Sequence, residues 1–378
     1  MMAGVATAES LMGARAPGSS HEFGVLRGDE VSTLVSEWQR LAGAATEPMQ
    51  SPHWAQAAAR HLHANAPLLT VTVRRAGALV GAMALVETRR GGVRWLEIPG
   101  AGVLGEPLRP LAADDAARAA LCRVLLDLRR PLSLPRIDDA VFVEQMRAAA
   151  RGRAYVLRMS GGSSLVADLD ANTEGHLERC SPARRKVLRR NLRQLGHDGA
   201  VTFDCLAPPP GEVVSALRAA FEVEARGWKG RAGSAVLSRP AMFEFFRAYG
   251  EACAAEGRLL VRRLLVGERV AAVAVAAIEG GREFDLKIGY DEAFARHSPG
   301  ITLACEALAD GARRGFAAHE FLGLAEDWQR PFATRERRFT SLMVYPANVA
   351  GAAAFGLDAA SALARRVGRV LGTRSCAA

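Results

Sequence analysis

The stretch from Arg282 to Asp327 constrains the fold more than any other, because it reads strand, loop, helix, strand. Glu283, Asp285, Lys287 and Gly289 alternate with Phe284, Leu286, Ile288 and Tyr290. That period of two is the pattern of a strand with one charged face and one apolar face. After a loop, Ser298-Pro299-Gly300 opens a helix. Ser298 suits the N-cap, Pro299 suits the first helical position, and Gly300 lets another group approach the backbone. Ile301, Ala304 and Leu308, with Leu303 and Ala307 beside them, give the helix an apolar stripe. Gly315 ends it, and His319 to Gly323 reads as the next strand. A strand feeding a helix with bare first-turn N–H groups makes an anion site, most naturally for phosphate. A capped βαβ unit with no ligand shows the same pattern.

At 378 residues the chain suits two domains, each able to build a core. Nearly half the residues are hydrophobic, which excludes a disordered protein. No apolar run approaches the ~20 residues of a membrane span, so a cytoplasmic protein is expected. Residues 1–21 lack a basic start and a hydrophobic block, and read as a disordered leader. Cys122, Cys180, Cys205, Cys253, Cys305 and Cys376 are scattered without CxxC spacing, as reduced small hydrophobes are. No HExxH or Cys/His cluster is present, and no metal site is expected. The net charge of +9 comes almost wholly from arginine, with lysine only at Lys186, Lys229 and Lys287.

Residues 22 to 160 read as a first α/β unit. Helices are expected over Asp29–Leu41, Trp54–His63 and Asp114–Leu128, and strands over Leu68–Arg74, Leu79–Thr88 and Val93–Ile98. Leu132–Val143 and Arg153–Leu157 complete the expected sheet. The glycine-rich Pro99–Gly105 runs into Pro107 and Pro110 before the next helix, which argues for a wide connection rather than a phosphate cradle. Ser160-Gly161-Gly162-Ser163-Ser164 is the best boundary signal. Asn172–Leu195 is a helix carrying Arg184, Arg185, Lys186, Arg189, Arg190 and Arg193. Such a helix suits phosphates, an anionic surface or plain solvent, and no aromatic residues interleave its cations. A strand at Val201–Leu206, helices at Glu212–Arg226 and Pro240–Glu256, and a hairpin of Leu259–Val266 with Arg269–Ile278 follow. Arg338–Tyr345 closes the sheet, and residues 347–378 read as a surface helix.

These residues resemble the GNAT acyltransferases, specifically the CelD/BcsL-like (cellulose-biosynthesis-associated) acetyltransferases, relatives of the Fem peptidyltransferases. The matching positions are Phe221, Arg226-Gly227-Trp228 and Gly233, then Gly289-Tyr290-Asp291 and Ser298-Pro299-Gly300, then Gly315-Phe316, Phe321-Leu322-Gly323 and Glu326. Pro48-Met49-Gln50-Ser51-Pro52-His53-Trp54 resembles the family's opening motif, and the similarity spans roughly Glu22 to Val344. An aromatic-Lys pair usual in the family is replaced by Asp327-Trp328-Gln329-Arg330.

The resemblance implies two tandem GNAT-like α/β domains, mixed mostly antiparallel sheets flanked by helices. The first, 22–160, is a degenerate copy and the second, 165–346, is functional. It implies transfer of an acetyl or other acyl group from coenzyme A to an amine or hydroxyl of a small-molecule or saccharide acceptor, in polysaccharide or cell-envelope biosynthesis. Cofactor contacts are expected at His297, Ser298, Gly300, Ile301 and Thr302, and acceptor contacts at Trp228, Lys287 and Tyr290. Glu326 or Asp327 is the first choice of general base and Asp285 the second. An aminoacyl-tRNA-dependent transferase of the Fem type, or a non-catalytic accessory protein, are the alternatives. No stable nucleic-acid partner is expected, and the oligomeric state is open.

Overall fold

A computed structural model describes residues 14–15, 21–43, 47–64, 66–172 and 174–375. The leader expected at 1–21 therefore lies outside the described residues except for Ala14, Arg15 and His21, and Cys376 lies outside them as well.

In the first half, β1 (His21–Arg27), β2 (Leu68–Arg75), β3 (Ala78–Arg90) and β4 (Val93–Glu97) form an antiparallel meander. Helices α1 (Val35–Ala42) and α2 (Pro52–Leu62) lie between β1 and β2, and α3 (Asp115–Asp127) leads from β4 to its parallel neighbour β5 (Leu132–Ile137). Then come α4 (Ala140–Ala149) and the long β6 (Ala154–Asp168). The strand expected over Leu132–Val143 thus stops at Ile137. Asp139 accepts the Phe142 N–H at 2.8 Å and so starts a helix at the point where the apolar run continues.

The second half repeats the plan. After α5 (Pro182–Leu195), strands β7 (Val201–Leu206), β8 (Leu259–Val266), β9 (Arg269–Glu279) and β10 (Arg282–Tyr290) form another antiparallel meander. Helices α6 (Val213–Ala225) and α7 (Pro240–Ala255) sit between β7 and β8. Helix α8 (Pro299–Arg313) leads from β10 to its parallel neighbour β11 (Ala318–Glu320), and β12 (Arg335–Pro346) and α9 (Val349–Ser375) end the chain.

The halves exchange their last strands. β12 pairs with β5 of the first half, β6 pairs with β11 of the second, and β6 and β12 pair with each other. One continuous mixed sheet of 14 strands results, counting the two-residue strands at 14–15 and 111–112. The flexible boundary expected at Ser160–Ser164 is instead the interior of β6, where Ser163 and Ser164 face Arg338 and Arg337. Composition signalled a linker, but partner strands on both sides supply the hydrogen bonds a loop would leave to water.

Contacts at this junction are both apolar and charged. Trp54 of α2 packs edge-on against Phe245 and Tyr249 of α7, at 4.9 and 5.0 Å between ring centroids. Arg337 is buried and joins Glu47 of the first half (2.7 Å), Glu320 of β11 (2.9 Å) and Asp138. The tail helix is anchored at its start, where Ala354 is buried and Asp358 accepts the Tyr345 hydroxyl at 2.7 Å. Among the described residues no helix is long and apolar enough to cross a membrane, and the five described cysteines are unpaired.

Candidate functional site

Strand β10 carries a bulge. Lys287 pairs with Val275 and Asp285 with Ala276, which leaves Leu286 as an extra residue. One extra residue reverses which side chains face which side beyond it. The single charged face expected for Glu283, Asp285, Lys287 and Gly289 is therefore broken. Asp285 stays on the side of α8 and is joined there by Ile288 and Tyr290. Lys287 turns to the other side, its ammonium 5.8 Å from the Phe246 ring of α7. Gly289 also turns that way and lets α6 pass, since a Cβ there would meet the Glu224 backbone at 2.7 Å.

The parallel strands β10 and β11 share only two registered pairs, Glu283 with His319 and Phe284 with Glu320. Beyond them the strands part, and the chain after β11 turns through Leu322 (φ +51°) and Gly323 (φ +53°). A cleft of about 1220 Å³ opens there, lined by Asp285, Ile288 and Tyr290 of β10, by the start of α8, and by Trp228, Glu326 and Trp328.

The start of α8 differs from the expected cap. Ser298 occupies the N-cap position in a left-handed conformation (φ +50°), and its side chain makes no cap hydrogen bond. Its N–H is bonded to the Ala295 carbonyl (3.0 Å), and the Ile301 and Thr302 N–H groups return to the Ser298 carbonyl (3.1 and 3.2 Å). Of the donors expected at Ser298, Gly300 and Ile301, only the Gly300 N–H is without a hydrogen-bond partner among the described residues. A Cβ on Gly300 would lie 3.6 Å from Tyr290 Cδ1, an ordinary contact. The small residue leaves room on the cleft side for a ligand rather than for protein.

Behind the cleft lies a buried charge relay. Arg262 donates from Nε and Nη2 to the two Glu283 oxygens at 2.8 Å each, and its third nitrogen reaches Asp310. His319, fully buried, places Nε2 3.0 Å from Asp285 Oδ2 and Nδ1 3.8 Å from Glu283. Burial alone would depress the imidazole pKa, but the Asp285 and Glu283 carboxylates outweigh it and raise it to about 10. Burial alone would raise Glu283, but His319 and Arg262 outweigh it and hold its pKa at about 2. Asp285 is buried, lines the cleft and keeps Oδ1 without a partner. Glu283, Asp285 and His319 lie within 4.8 Å of one another, a spacing compatible with a metal ion. Arg262 and the imidazolium already supply the positive charge there, and Arg262 engages both Glu283 oxygens. The donor set fits an ion-pair network better than a metal centre.

Most residues singled out from the sequence converge on the cleft. Asp285, Tyr290, Ser298, Gly300, Ile301, Trp228 and Glu326 line it. Glu326 is exposed and accepts the Trp328 indole N–H at 2.6 Å. Asp327 points into solvent beside Arg330. His297 is buried against Arg296, which donates to its Nε2 at 2.8 Å, and Thr302 bonds back to the Ser298 carbonyl; neither lines the cleft. Lys287 lies behind it for the reason given by the bulge.

Sequence reasoning did not single out four groups. Glu224, buried, takes Lys229 at 3.0 Å, and Lys229 also donates to the Ile288 carbonyl at 2.7 Å, which pins the Trp228 loop to β10. His319 was readable as part of a strand, but its carboxylate neighbours lie on a different segment. Glu106 and Arg136, from the first half, grip the N–H and the carbonyl of Gly323.

No curated protein sequence matches the chain. Among solved structures, the C-terminal domain of a protein named as a lysylphosphatidylglycerol synthetase from Agrobacterium fabrum is similar at 10% identity. The match covers 87% of this chain and 96% of that one with a TM-score of 0.54. FemX is similar at 10% identity over 74% and 88% of the two chains, with a TM-score of 0.50. A conserved protein of unknown function from Bacteroides thetaiotaomicron is similar at 8% identity over 83% and 96%, also with a TM-score of 0.50. At such identities the likeness is one of fold. The family model described as an acetyltransferase (GNAT) domain matches residues 182–330, the segment that builds the cleft, so this part of the chain is an acetyltransferase domain of the GNAT type.

Proposed function

We propose that the cleft binds an acyl-coenzyme A, acetyl-CoA in the simplest case, and transfers its acyl group to an amine or hydroxyl. The observation that carries this reading is the parting of β10 and β11 above a helix start whose Gly300 N–H is open. A backbone donor at a helix N-terminus favours a phosphate, and parted strands give an extended arm a channel into the sheet. The bulge at Leu286 frees backbone from the ladder beside the reacting centre.

Transfer needs a group that removes the acceptor's proton as it attacks the thioester carbonyl. Asp285 is the residue supported best, because it is buried at the inner wall with a free Oδ1 while His319 holds its other oxygen. Glu326 is spent on Trp328, and Asp327 does not reach the cleft. The first unit, 22–160, serves in this reading as a non-catalytic copy that braces the second. The family resemblance supports an acceptor from polysaccharide or cell-envelope chemistry.

Thermal shift and calorimetric titration with coenzyme A test the donor, since a ligand that binds only the folded state stabilises it. Gly300→Val fits the protein but fills the phosphate side, so affinity is expected to fall at least about tenfold, or about 1.4 kcal/mol. Unchanged affinity in the folded variant removes the donor from this site. An aminoacyl-tRNA donor is the second reading, favoured by the exposed Lys186, Arg189, Arg190 and Arg193 of α5; strong tRNA binding with no response to coenzyme A would establish it.

A further inference from the structure

Lys287 is an ammonium without a counter-charge. It is half-buried, its nearest described feature is the Phe246 ring, and no hydrogen bond or ion pair to it exists among the described residues. Burial and the charge of Lys229 lower its pKa. A cation withdrawn from water and left unpaired is costly, and proteins normally pair it. Here the one carboxylate of α6 that faces it, Glu224, is already taken by Lys229 and the Val236 N–H.

A second under-used charge lies opposite. Glu106 comes from the first half, in the loop between β4 and α3, and one of its oxygens accepts the Gly323 N–H at 3.1 Å. Burial raises its pKa, and Arg136 and Lys287 oppose that rise. Glu106 also walls a largely apolar cavity of about 510 Å³ with Met49, Trp54 and Leu108. Glu106 and Lys287 each feel the other's charge, yet no ion pair joins them. They flank the inner end of the cleft from its two parted strands. Lys287 stands on β10 between the cleft residues Asp285 and Ile288, and Glu106 is tied to Gly323, three residues before the cleft residue Glu326. Two opposite charges kept apart at the end of a reaction channel describe a receptor for a molecule bearing both complementary charges.

We propose that the acceptor is an amine that also carries a carboxylate, its carboxylate on Lys287 and its amine toward Glu106. It enters from the junction of the two halves, on the side of the sheet opposite α8. The acyl donor and the acceptor then meet at the bulge from opposite faces, and the first half contributes a recognition residue rather than only support. This proposal rests on the acyl-transfer reading of the cleft.

The test is direct binding to the full chain without any donor, by ligand-observed NMR titration of a probe panel. The panel holds free amino acids, their amides, which lack the carboxylate, and the matching 2-hydroxy acids, which lack the amine. The expected result is that at least one amino acid binds about tenfold or more tightly than both of its analogues, a difference of about 1.4 kcal/mol. Lys287→Gln should erase the preference over the amide, while Lys287→Arg, which keeps the charge, should retain part of it. Glu106→Gln keeps an acceptor for the Gly323 N–H and should erase the preference over the hydroxy acid. Equal binding of the three probe types, no binding of any, or preferences that survive these substitutions would overturn the proposal. Coenzyme A titrated into the same samples keeps the two readings separable. Loss of coenzyme A response in the wild type would sink the donor assignment, whereas the panel reports on Lys287 and Glu106 alone.

Discussion

The two halves are built to one plan and differ where the parallel strands meet. In the first half β4 and β5 share two registered pairs, Leu96 with Leu132 and Glu97 with Ser133, just as β10 and β11 do in the second. In the first half the gap beyond them is closed by the chain itself. Leu108 enters as a parallel bridge to Ile137, its N–H on the Arg136 carbonyl and its carbonyl on the Asp138 N–H, both at 3.1 Å. In the second half the equivalent space is the cleft. The helix starts differ in the same sense. Asp114 caps α3 with its carboxylate on the Ala117 N–H at 2.8 Å, placing a negative charge where an anion would sit. Ser298 leaves α8 uncapped by its side chain. Strand β4 pairs with β3 without a bulge, whereas β10 carries one. Where the first half has Leu96 beside Leu132, the second has Glu283 beside His319. One half is filled and apolar at its centre; the other is open, charged and strained.

The largest expected effect falls on the open half. Asp285→Asn keeps the shape but cannot take a proton, so turnover should drop roughly 10²–10⁴-fold with coenzyme A affinity retained. Steady-state assays beside Glu326→Gln would sharpen the contrast, because the latter should change turnover little. If the order is reversed, the general base is Glu326 and the relay behind Asp285 is structural.

Next comes the seam between the halves. Arg337→Met would leave the buried Glu47 and Glu320 without their shared cation, and breaking such a pair costs about 3–5 kcal/mol. Urea unfolding followed by fluorescence measures this, and a loss confined to one of two transitions would show that the halves unfold separately.

A smaller effect is electrostatic and confined to the second half. The folded pKa of His319, about 10, lies above its ordinary 6.5. Its contribution to stability is therefore complete below about pH 6.5 and lost as pH rises through about 10. Glu283, near 2 when folded and ordinarily 4.5, contributes fully above about pH 4.5 and loses that contribution as pH falls through about 2. Denaturation midpoints across pH should thus decline on the alkaline side in the wild type and decline less in His319→Gln. Equal slopes would mean that the imidazole is neutral in the fold. The smallest effect is expected from neutralising Arg189 and Arg190 on α5, which should leave acyl-CoA turnover largely intact. Joint loss of activity and of tRNA binding would favour the tRNA-dependent reading.

How much of this was legible in the sequence follows from range. Local signals placed β10, the start of α8 and the Trp228 loop on one cleft, because strand period, proline at the first helical position and glycine spacing act within a few residues. The bulge at Leu286 was hidden, since alternation in one strand does not record its register against another. Ser160–Ser164 looked like a linker because small polar residues mark loops on average, whereas here partner strands from distant segments hold them in the sheet. Ser298 has the composition of a cap but a left-handed backbone, which composition does not show. The Glu283–Asp285–His319 relay and the Glu106 contact to Gly323 join residues separated by more than 30 and 200 positions, beyond any local pattern.

The claim that the second half's cleft receives the donor while the first half's counterpart is filled has a direct test in hydrogen–deuterium exchange, measured with and without coenzyme A. The account predicts slowed exchange over 285–304 and 226–230, with no change over the matching segment 96–118. Protection at 96–118, or none at the start of α8, would contradict it.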